Sequence, residues 1–309
     1  MGSIAFLFPG QASQYAGMGK ALAEAFSEAR TVFEEADASL GFSISQLCFE
    51  GPEADLALTA NTQPAILTVS VAAYRVLASQ GLTPAFVAGH SLGEYSALVA
   101  AGTLSLTDAV VAVRRRGTYM QEAVPPGVGA MAAVLKADLA TIEAICAEAA
   151  QDQVCSPANM NSPAQIVIAG HAEAVTRAAA LLKAKGARAV MLPVSAPFHC
   201  ALMKPAEERL AVDLNQLDFA DPAFPVVANV SADLERTGAE ARANLIAQVC
   251  SPVRWVGSIQ KLVAEGVTTF VEVGPKTVLS GLVRQINNQV KVLNFEQPDQ
   301  LEAIREACS

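Results

Sequence analysis

Short apolar runs alternate along the chain with longer stretches of helical periodicity. Five runs predict strands: residues 3–8 (SIAFLF), 84–90 (PAFVAGH), 224–230 (FPVVANV), 268–274 (TTFVEVG) and 290–295 (VKVLNF). Residues 61–79 predict a helix, because Pro64 near the start and Gly81 just past the end are typical of helix boundaries. Thr107 and Asp108 begin the next predicted helix. This alternation predicts an α/β fold with a mostly parallel sheet joined by crossover helices.

The stretch from residue 130 to residue 194 has a different rhythm. A strand at 130–135, a helix at 138–150, short strands near 154–159 and 165–169, a helix at 173–186 and a strand at 187–194 follow in the order β-α-β-β-α-β. That order is the ferredoxin-like unit. The segments VPPGVG and PVSAPF, which flank it, are typical of hinges. We therefore expect a ferredoxin-like small subdomain (126–195) inserted into a large α/β subdomain (1–125 and 196–309).

Composition narrows the class of protein. The 309 residues are 52% hydrophobic and 17% charged, which is enough for a sizeable core, and the net charge of −9 disfavours nucleic-acid binding. No apolar stretch reaches the ~20 residues of a membrane helix, and the first ten residues lack the features of a signal peptide, so we expect a cytoplasmic protein. The six cysteines are scattered without a Cys-x-x-Cys pair and only three histidines accompany them, which predicts no metal site and buried, reduced thiols.

One serine stands between two glycines where an apolar run gives way to a helical pattern. In GHSLGEYSALVAAG (residues 89–102), a buried strand ends at His90, Ser91 occupies the turn, and a helix follows. Strand, turn and helix are the context of a nucleophile elbow, and the backbone N–H of Leu92 would face an oxyanion formed at the serine's target. The pattern favours a nucleophile over an ordinary serine in a tight turn.

A serine nucleophile needs a base, and the chain offers three histidines. His90 adjoins Ser91 and should point into the fold, while His171, at a strand end in the small subdomain, fits a role at a helix entry. His199 lies where the chain returns from the small subdomain, so it can line the cleft between the two parts and is the better base. The glycine-rich loop after the first strand, residues 8–19, reaches the same sheet edge, where Gln11 is as readily a second oxyanion donor as part of a plain connection.

Seven motifs stand in the order and spacing found in malonyl-CoA:acyl carrier protein transacylases, and the resemblance covers essentially the whole chain. They are FPGQASQ, GHSLGEYSALVAAG, RRRGTYMQEAV, NSPAQIVIAG, PVSAPFHCALM, QVCSPVRW and VEVGP. The resemblance implies an α/β-hydrolase-like large subdomain and an acyltransferase that moves malonyl from malonyl-CoA to acyl carrier protein. It implies no cofactor.

The resemblance also assigns roles to particular residues. It places the nucleophile at Ser91, the base at His199 and the oxyanion amides at Gln11 and Leu92. The family has no triad carboxylate, and the main-chain carbonyl of Gln248 would accept a hydrogen bond from the imidazole instead. Arg116, third in the arginine triplet, would grip the malonyl carboxylate; without the resemblance, the triplet reads as a solvated helix face.

Two positions depart from the usual family pattern. Ala12 stands where the loop often has glycine, a change that a methyl group tolerates where φ is negative. Phe198 stands where stand-alone members often have serine. In related polyketide acyltransferase domains, phenylalanine at that place accompanies malonyl, and its ring should crowd a 2-methyl group.

Three alternative functions stay open at this point. A serine esterase or thioesterase would use the same elbow with water as acceptor and a triad acid such as Asp108, Asp138 or Asp152. A non-catalytic acyl-binding relative would keep the fold without the chemistry. A malonyltransferase of a polyketide pathway would differ only in its carrier protein. We expect a monomer.

Overall fold

Two separate β-sheets organise the chain in the computed structural model, which describes residues 3–194 and 196–308. The strands are β1 (Ser3–Phe8), β2 (Phe86–Gly89), β3 (Gly129–Leu135), β4 (Cys155–Ser162), β5 (Gln165–His171), β6 (Arg188–Met191), β7 (Val226–Val227), β8 (Leu234–Glu235), β9 (Val267–Val273) and β10 (Lys291–Phe295). The helices are α1 (Lys20–Ala25), α2 (Ser27–Leu40), α3 (Ile44–Glu50), α4 (Glu53–Leu56), α5 (Thr59–Ser79), α6 (Gly93–Ala100), α7 (Leu106–Glu122), α8 (Leu139–Ala150), α9 (Ala172–Ala184), α10 (Lys204–Leu214), α11 (Gly238–Gln248), α12 (Trp255–Ala264), α13 (Val278–Ile286) and α14 (Leu301–Cys308).

The larger sheet has the strand order β10-β9-β1-β2-β7-β8, parallel except for the antiparallel edge strand β8. Its central strand β1 is buried on both faces, because successive side chains point to opposite sides. Phe6 and Phe8 pack into the core that includes α5 and α6, whereas Ala5 and Leu7 pack into the core formed with α12 and α13. The predicted α/β class and mostly parallel sheet are confirmed.

The strand predicted at 224–230 is much shorter than its apolar run, since only Val226 and Val227 pair in the sheet. The backbone leaves the ladder at the next residue, where the Ala228 N–H donates to the Asp233 carbonyl in a turn. The Asn229 N–H then donates to the side chain of Glu94, at 2.9 Å. A tertiary contact therefore replaces the strand pairing that the local sequence favours.

The smaller sheet is antiparallel, with the order β4-β5-β3-β6, and α8 and α9 pack on it around a core of its own. This is the ferredoxin-like arrangement predicted from the sequence. The limits 126–195 of the small subdomain stay a prediction. Ser195, on which its far limit falls, lies outside the described residues, as do Met1, Gly2 and Ser309 at the outer limits of the large subdomain.

Helix α5 begins at Thr59, two residues before the predicted start, so Pro64 lies inside the helix rather than in its first turn. Proline has no N–H, which leaves the carbonyl of Ala60, four residues earlier, without its helical donor. Arg114 of α7 supplies a donor instead, because its Nη1 donates to that carbonyl at 2.8 Å.

The start of α7 also differs from the prediction. The helix begins at Leu106, and Ser105 caps it by accepting from the Asp108 N–H at 3.0 Å.

None of the helices in residues 3–194 and 196–308 is both long and apolar enough to span a membrane. All six cysteines are free thiols, but Cys250 and Cys308 are half-buried, whereas the sequence predicted buried thiols throughout.

Candidate active site

Ser91 occupies a sharp turn between β2 and α6. Its φ of 53° is the left-handed conformation, which is strained for a residue with a Cβ and common at functional turns. The flanking glycines let the backbones meet: a Cβ on Gly89 would lie 1.9 Å from the carbonyl carbon of Gly93, and one on Gly93 would lie 2.1 Å from the Phe8 carbonyl oxygen. The glycine-serine-glycine pattern therefore has a packing cause, and the turn has the shape of a nucleophile elbow.

The structure places His199 against Ser91. The serine hydroxyl is 2.8 Å from His199 Nε2, and Nδ1–H of the same ring donates to the main-chain carbonyl of Gln248 at 2.9 Å. The imidazole is 4% exposed. Burial first, and then the nearby Arg116 cation, lower its pKa to about 3. At neutral pH the ring is therefore uncharged, the form that can accept a proton from serine.

The other histidines have structural contacts. His90 Nε2 is 2.9 Å from Asn161 Oδ1, and its ring lies 5.5 Å from that of the buried Trp255. His171 precedes helix α9 and its Nδ1 accepts from the Val154 N–H at 2.9 Å. Only His199 of the three hydrogen-bonds to Ser91 among the described residues, which agrees with the choice made from the sequence.

The candidate triad acids also lie elsewhere. Asp108 accepts from the Ser105 hydroxyl at 2.7 Å, Asp138 accepts from the Thr141 N–H at 2.8 Å at the start of α8, and Asp152 is exposed in a turn. Because Gln248 supplies the acceptor for the imidazole, the site needs no carboxylate in that place.

Arg116 is buried, with 2% of its surface exposed, although the arginine triplet alone suggested a solvated helix face. Its Nη1 donates to Gln63 Oε1 at 2.7 Å, and its Nη2 donates to Gln248 Oε1 at 2.8 Å and to Ser91 Oγ at 3.1 Å. Burial lowers the pKa of the guanidinium. A cation held beside the candidate nucleophile is suited to binding an anionic group of the substrate.

The two candidate oxyanion donors follow the ends of the neighbouring strands β1 and β2. Gln11 follows β1 and Leu92 follows Ser91 at the start of α6. Within residues 3–194 and 196–308, no hydrogen bond occupies the backbone N–H of either residue. Both amides are thus available to an oxyanion, and their role stays a prediction.

Ala12 contradicts the expectation of a negative φ in this loop, because its φ is 84°. Alanine in the left-handed region carries a steric cost that glycine avoids. The carbonyl of Ala12 accepts from Lys276 Nζ at 3.3 Å, and its N–H donates to the side chain of Gln14 at 2.8 Å, so contacts on both sides hold the strained conformation.

We expect Ala12→Gly to raise the free energy of unfolding by about 1 kcal/mol, as relief of ~1–2 kcal/mol of strain exceeds the entropic cost of the added glycine. Denaturant titration measures the change. Ala16→Gly is the matched control, because Ala16 lies in the same loop without a positive φ and should lose stability. Equal destabilisation by both substitutions would show that the φ of Ala12 carries no strain.

Sequence reasoning missed three polar residues that support the site. Asn229 Oδ1 accepts from the Ser91 N–H at 2.7 Å, across 138 residues of sequence, and its Nδ2 donates to the Gly89 carbonyl at 2.7 Å. Glu94 and Gln63 contact the Gln248 and Arg116 side chains. A polar residue inside an apolar run was the signal for Asn229; nothing local distinguishes Gln63.

The reactive groups open into a cleft of about 520 Å³ between the two sheets. The small subdomain contributes Met131, Ala133 and Val167 to its wall, and the large one contributes the elbow and α13. Phe198, 9% exposed, lines the cleft next to His199. Apolar walls with a few convergent polar groups are typical of a small-molecule site.

Comparison with known proteins agrees with this geometry. The profile of the acyl transferase domain family matches residues 5–299, so the chain belongs to the acyl transferase family. Malonyl CoA-acyl carrier protein transacylase of Bacillus subtilis (strain 168) is 50% identical over 304 residues, which cover 98% of this chain and 96% of that protein.

Solved structures of malonyl transferases are also similar to this chain. The acyl-carrier-protein-S-malonyltransferase of Bartonella henselae is 47% identical, with a TM-score of 0.97 over 100% of this chain and 99% of that one. A malonyl-transacylase solved in complex with a type II PKS acyl-carrier protein is 45% identical, with a TM-score of 0.96 over 99% of each chain.

Proposed function

We propose that the chain transfers the malonyl group of malonyl-CoA to the phosphopantetheine thiol of acyl carrier protein, through a malonyl ester on Ser91. One observation carries the proposal: the oxygen of Ser91 that lies 2.8 Å from His199 Nε2 also lies 3.1 Å from the Arg116 guanidinium. A nucleophile, its base and a carboxylate-binding cation therefore converge on one atom. The malonyl transferases among the relatives support this substrate.

In the first step, His199 Nε2 takes the hydroxyl proton while Ser91 Oγ attacks the thioester carbonyl. The backbone N–H groups of Gln11 and Leu92 donate to the oxyanion, and the Gln248 carbonyl stabilises the imidazolium. Collapse breaks the carbon–sulfur bond, and the imidazolium returns its proton to the departing sulfur. Coenzyme A leaves as the free thiol, and the malonyl ester remains.

In the second step, the same residues transfer the malonyl group from Ser91 to the carrier thiol. His199 takes the proton of the phosphopantetheine thiol, whose sulfur attacks the ester carbonyl. The second tetrahedral intermediate uses the same two amides. Its collapse breaks the bond to Ser91 Oγ, which regains the proton from the imidazolium, and malonyl-carrier protein is released.

Two features weigh against a hydrolase and a non-catalytic relative. The imidazole hydrogen-bonds to a backbone carbonyl rather than to the acid that a hydrolase triad uses. The serine hydroxyl lies within hydrogen-bonding distance of both the base and the guanidinium, which a scaffold protein would not require. We assign the product to fatty-acid synthesis. The named malonyl transferases among the relatives support this assignment over the polyketide alternative, although one similar structure is of a malonyl-transacylase in complex with a type II PKS acyl-carrier protein.

The decisive experiment is incubation with malonyl-CoA and a pantetheinylated carrier protein, followed by intact-mass analysis of both proteins. We expect a malonyl adduct first on the enzyme and then on the carrier. Release of free malonate, with the carrier unmodified, would instead indicate a thioesterase. An enzyme that never gains mass would refute the covalent mechanism.

We propose that Phe198 restricts the acyl group to malonyl. Its ring is buried at the cleft wall beside His199, where a 2-methyl branch on the substrate would meet it. We also propose that the protein works as a monomer, since residues of one chain complete the cleft. We propose the cytoplasm as its location, as expected from the sequence.

The acylation rate should not decline through protonation of His199 between about pH 8 and about pH 5. The histidine pKa is lowered from 6.5 to about 3 by burial and then by Arg116. Since the folded pKa lies below the usual value, the neutral base persists as pH falls and is lost only towards the lowered pKa. Single-turnover acylation by malonyl-CoA across this range is the measurement. A decline centred near 6.5 would show that the imidazole is solvated in the working enzyme.

Carrier protein is acidic and coenzyme A is a polyanion, so an acidic enzyme needs local cations for docking. The sequence offers a set of candidates: Arg114, Arg115, Lys183, Lys185, Lys204, Lys276 and Arg284. Arg115 pairs with Asp213 and Lys204 pairs with Glu207, at 2.8 and 2.7 Å. Lys276 and Arg284 flank the apolar residues of α13 that line the cleft, and we propose these two for steering.

Association with carrier protein should therefore slow several-fold as salt rises from low to physiological concentration. Charge reversal in Lys276→Glu and Arg284→Glu should slow it further, whereas Arg75→Glu, in a separate groove beside Glu28 and Glu35, should not. Stopped-flow association kinetics give the rates. A salt-independent rate would exclude electrostatic steering.

A further inference from the structure

Among the described residues, the charge of Arg116 has no direct partner of opposite sign. Its hydrogen bonds there go to the neutral side chains of Gln63, Gln248 and Ser91, and its Nε has no partner in that part of the chain. None of the ion pairs among residues 3–194 and 196–308 includes it. A buried cation is costly unless a negative charge compensates it.

The compensating charge lies one side chain away. Glu94, in the first turn of α6, is completely buried, and its Oε2 accepts from Gln248 Nε2 at 2.9 Å and from the Asn229 N–H at 2.9 Å. The Gln248 amide thus bridges the two charges, accepting from Arg116 at one end and donating to Glu94 at the other. Its Nε2 also donates to the Ser91 carbonyl at 3.1 Å. Glu94 therefore fixes the residue that orients both His199 and Arg116.

A second buried carboxyl lies on the strand that pairs with β7, where Glu235 is opposite Val226, three residues before the Asn229 that donates to Glu94. Glu235, at the end of β8, is 2% exposed, and its Oε2 accepts from Asn244 Nδ2 at 2.8 Å. Oε1 of Glu94 and Oε1 of Glu235 are both buried without a hydrogen-bond partner in the described part of the chain. Two buried carboxylates in one region repel each other, and one proton bound to the pair removes that repulsion.

The surrounding groups favour protonation of this pair. Burial raises the pKa of Glu94, with the charge of Glu235 adding to the effect, and burial raises the pKa of Glu235. Arg116 opposes the rise at Glu94, and Glu240 adds to it at Glu235. Within the described part of the chain, the other titratable neighbour of Glu94 is Tyr95, which is buried and un-ionised because burial raises its pKa. Arg116 is thus the one cation that favours a carboxylate here among the described neighbours.

We infer that Glu94 and Glu235 form a carboxyl pair that positions Gln248, balances the charge of Arg116 in the empty site, and takes up a proton from solvent when a malonyl carboxylate binds Arg116. In the empty site, one carboxylate offsets one guanidinium. Once the malonyl carboxylate binds, the guanidinium has a new partner, and the charge left on the pair is uncompensated. Protonation of that carboxylate restores neutrality, and release of the malonyl group returns the proton to solvent.

This inference rests on the proposed function and has a thermodynamic consequence. Because binding takes up a proton, the affinity for malonyl-CoA should fall by up to about tenfold per pH unit above the range in which the empty pair titrates. Acetyl-CoA brings the same coenzyme without the carboxylate. Its affinity should therefore lack this component, which makes it the matched ligand control.

The test is calorimetric titration of Ser91→Ala enzyme, which binds without turnover, with malonyl-CoA and with acetyl-CoA. Each titration is repeated from about pH 6 to about pH 9 in two buffers of different ionisation enthalpy, which gives the protons exchanged. At its maximum in this range, malonyl-CoA should take up about one proton more than acetyl-CoA. Glu94→Gln, added to Ser91→Ala, should abolish the difference. Glu235→Gln, added to Ser91→Ala, should shift the difference to lower pH, because it removes the neighbouring charge that favours protonation of Glu94. Glu207→Gln, a half-buried carboxyl outside the site, should keep it.

The possible results separate the two claims. Preferential binding of malonyl-CoA with equal proton counts for both ligands would overturn the inference and leave the proposed function intact. No preference for malonyl-CoA would overturn both. If Glu94→Gln fails to fold, Glu235→Gln decides, since it keeps an acceptor for Asn244. A purely structural Glu235 would change affinities in that variant while the pH range of the proton difference stayed the same, which would also overturn the inference.

Discussion

Enzyme with alanine in place of Ser91 should form no covalent adduct with malonyl-CoA and should transfer no malonyl to carrier protein. The hydroxyl is the only group that the mechanism acylates, and it lies at 2.8 Å from its base. His199→Ala should retain the hydroxyl but lower acylation by a factor of about 10³, within the ~10²–10⁴ that general-base catalysis contributes. Because the two residues act as one unit, the double variant should be no slower than Ser91→Ala.

Intact-mass analysis after brief exposure to malonyl-CoA is the measurement for the serine variant. Ser13→Ala is the matched control: Ser13 lines the same cleft and is 1% exposed, and its Oγ has no hydrogen-bond partner among the residues that the structure describes, so its loss should leave the adduct in place. A stable adduct on Ser91→Ala, or its disappearance in Ser13→Ala, would move the nucleophile away from the elbow.

Arg116→Ala should lower malonyl transfer about a hundredfold or more, because loss of one partner from a buried ion pair costs about 3–5 kcal/mol. Acetyl transfer should change far less, since acetyl carries no carboxylate to leave unpaired. Arg116→Lys keeps the charge but loses the planar fork that binds two carboxylate oxygens at once. Its rate of malonyl transfer should therefore lie between those of the wild-type enzyme and Arg116→Ala. The informative quantity is the ratio of kcat/KM for malonyl-CoA to that for acetyl-CoA.

The structure supplies a neighbouring control for this series. Arg115 precedes Arg116 on α7 but points to the surface, where it pairs with Asp213 at 2.8 Å, and Arg115→Ala should keep the wild-type ratio. Arg116 also donates to Ser91 and Gln248, so some loss with both substrates is expected from the alanine variant. If both rates fall equally, the guanidinium only holds the site together, and another group binds the carboxylate.

The order of elements could be read from the sequence, and their limits were set by contacts across the fold. Alternation of apolar runs and helical stretches was enough to predict the parallel sheet and the ferredoxin-like unit. The run at 224–230 could not show that its strand stops at Val227, because the cause is a hydrogen bond from Asn229 to Glu94, 135 residues away in sequence. Pro64 lies inside α5, and Arg114 of α7 donates to the Ala60 carbonyl that the proline leaves without its helical donor.

Some residues of the site could likewise be predicted from the sequence, and others could not. Ser91 and His199 carry local signatures, a glycine-flanked turn and a position at a crossing between subdomains, and the structure brings their side chains together. Arg116 carries no such signature, since a triplet of arginines on a helix is usually solvated, and only the resemblance singled it out. Glu94, Gln63 and Asn229 were missed because their roles are hydrogen bonds to residues distant in sequence. The φ of Ala12 is likewise set by its surroundings.

The chain has a single tryptophan, Trp255, fully buried with its ring 5.5 Å from the ring of His90, the residue that leads into the elbow. Indole emission from this protein therefore comes from one location, shielded from water and adjacent to the reactive turn. Rearrangement of that turn on acylation would change the emission of an otherwise unlabelled enzyme. Acyl transfer could then be followed in real time by intrinsic fluorescence, with no radiolabel and no coupled assay.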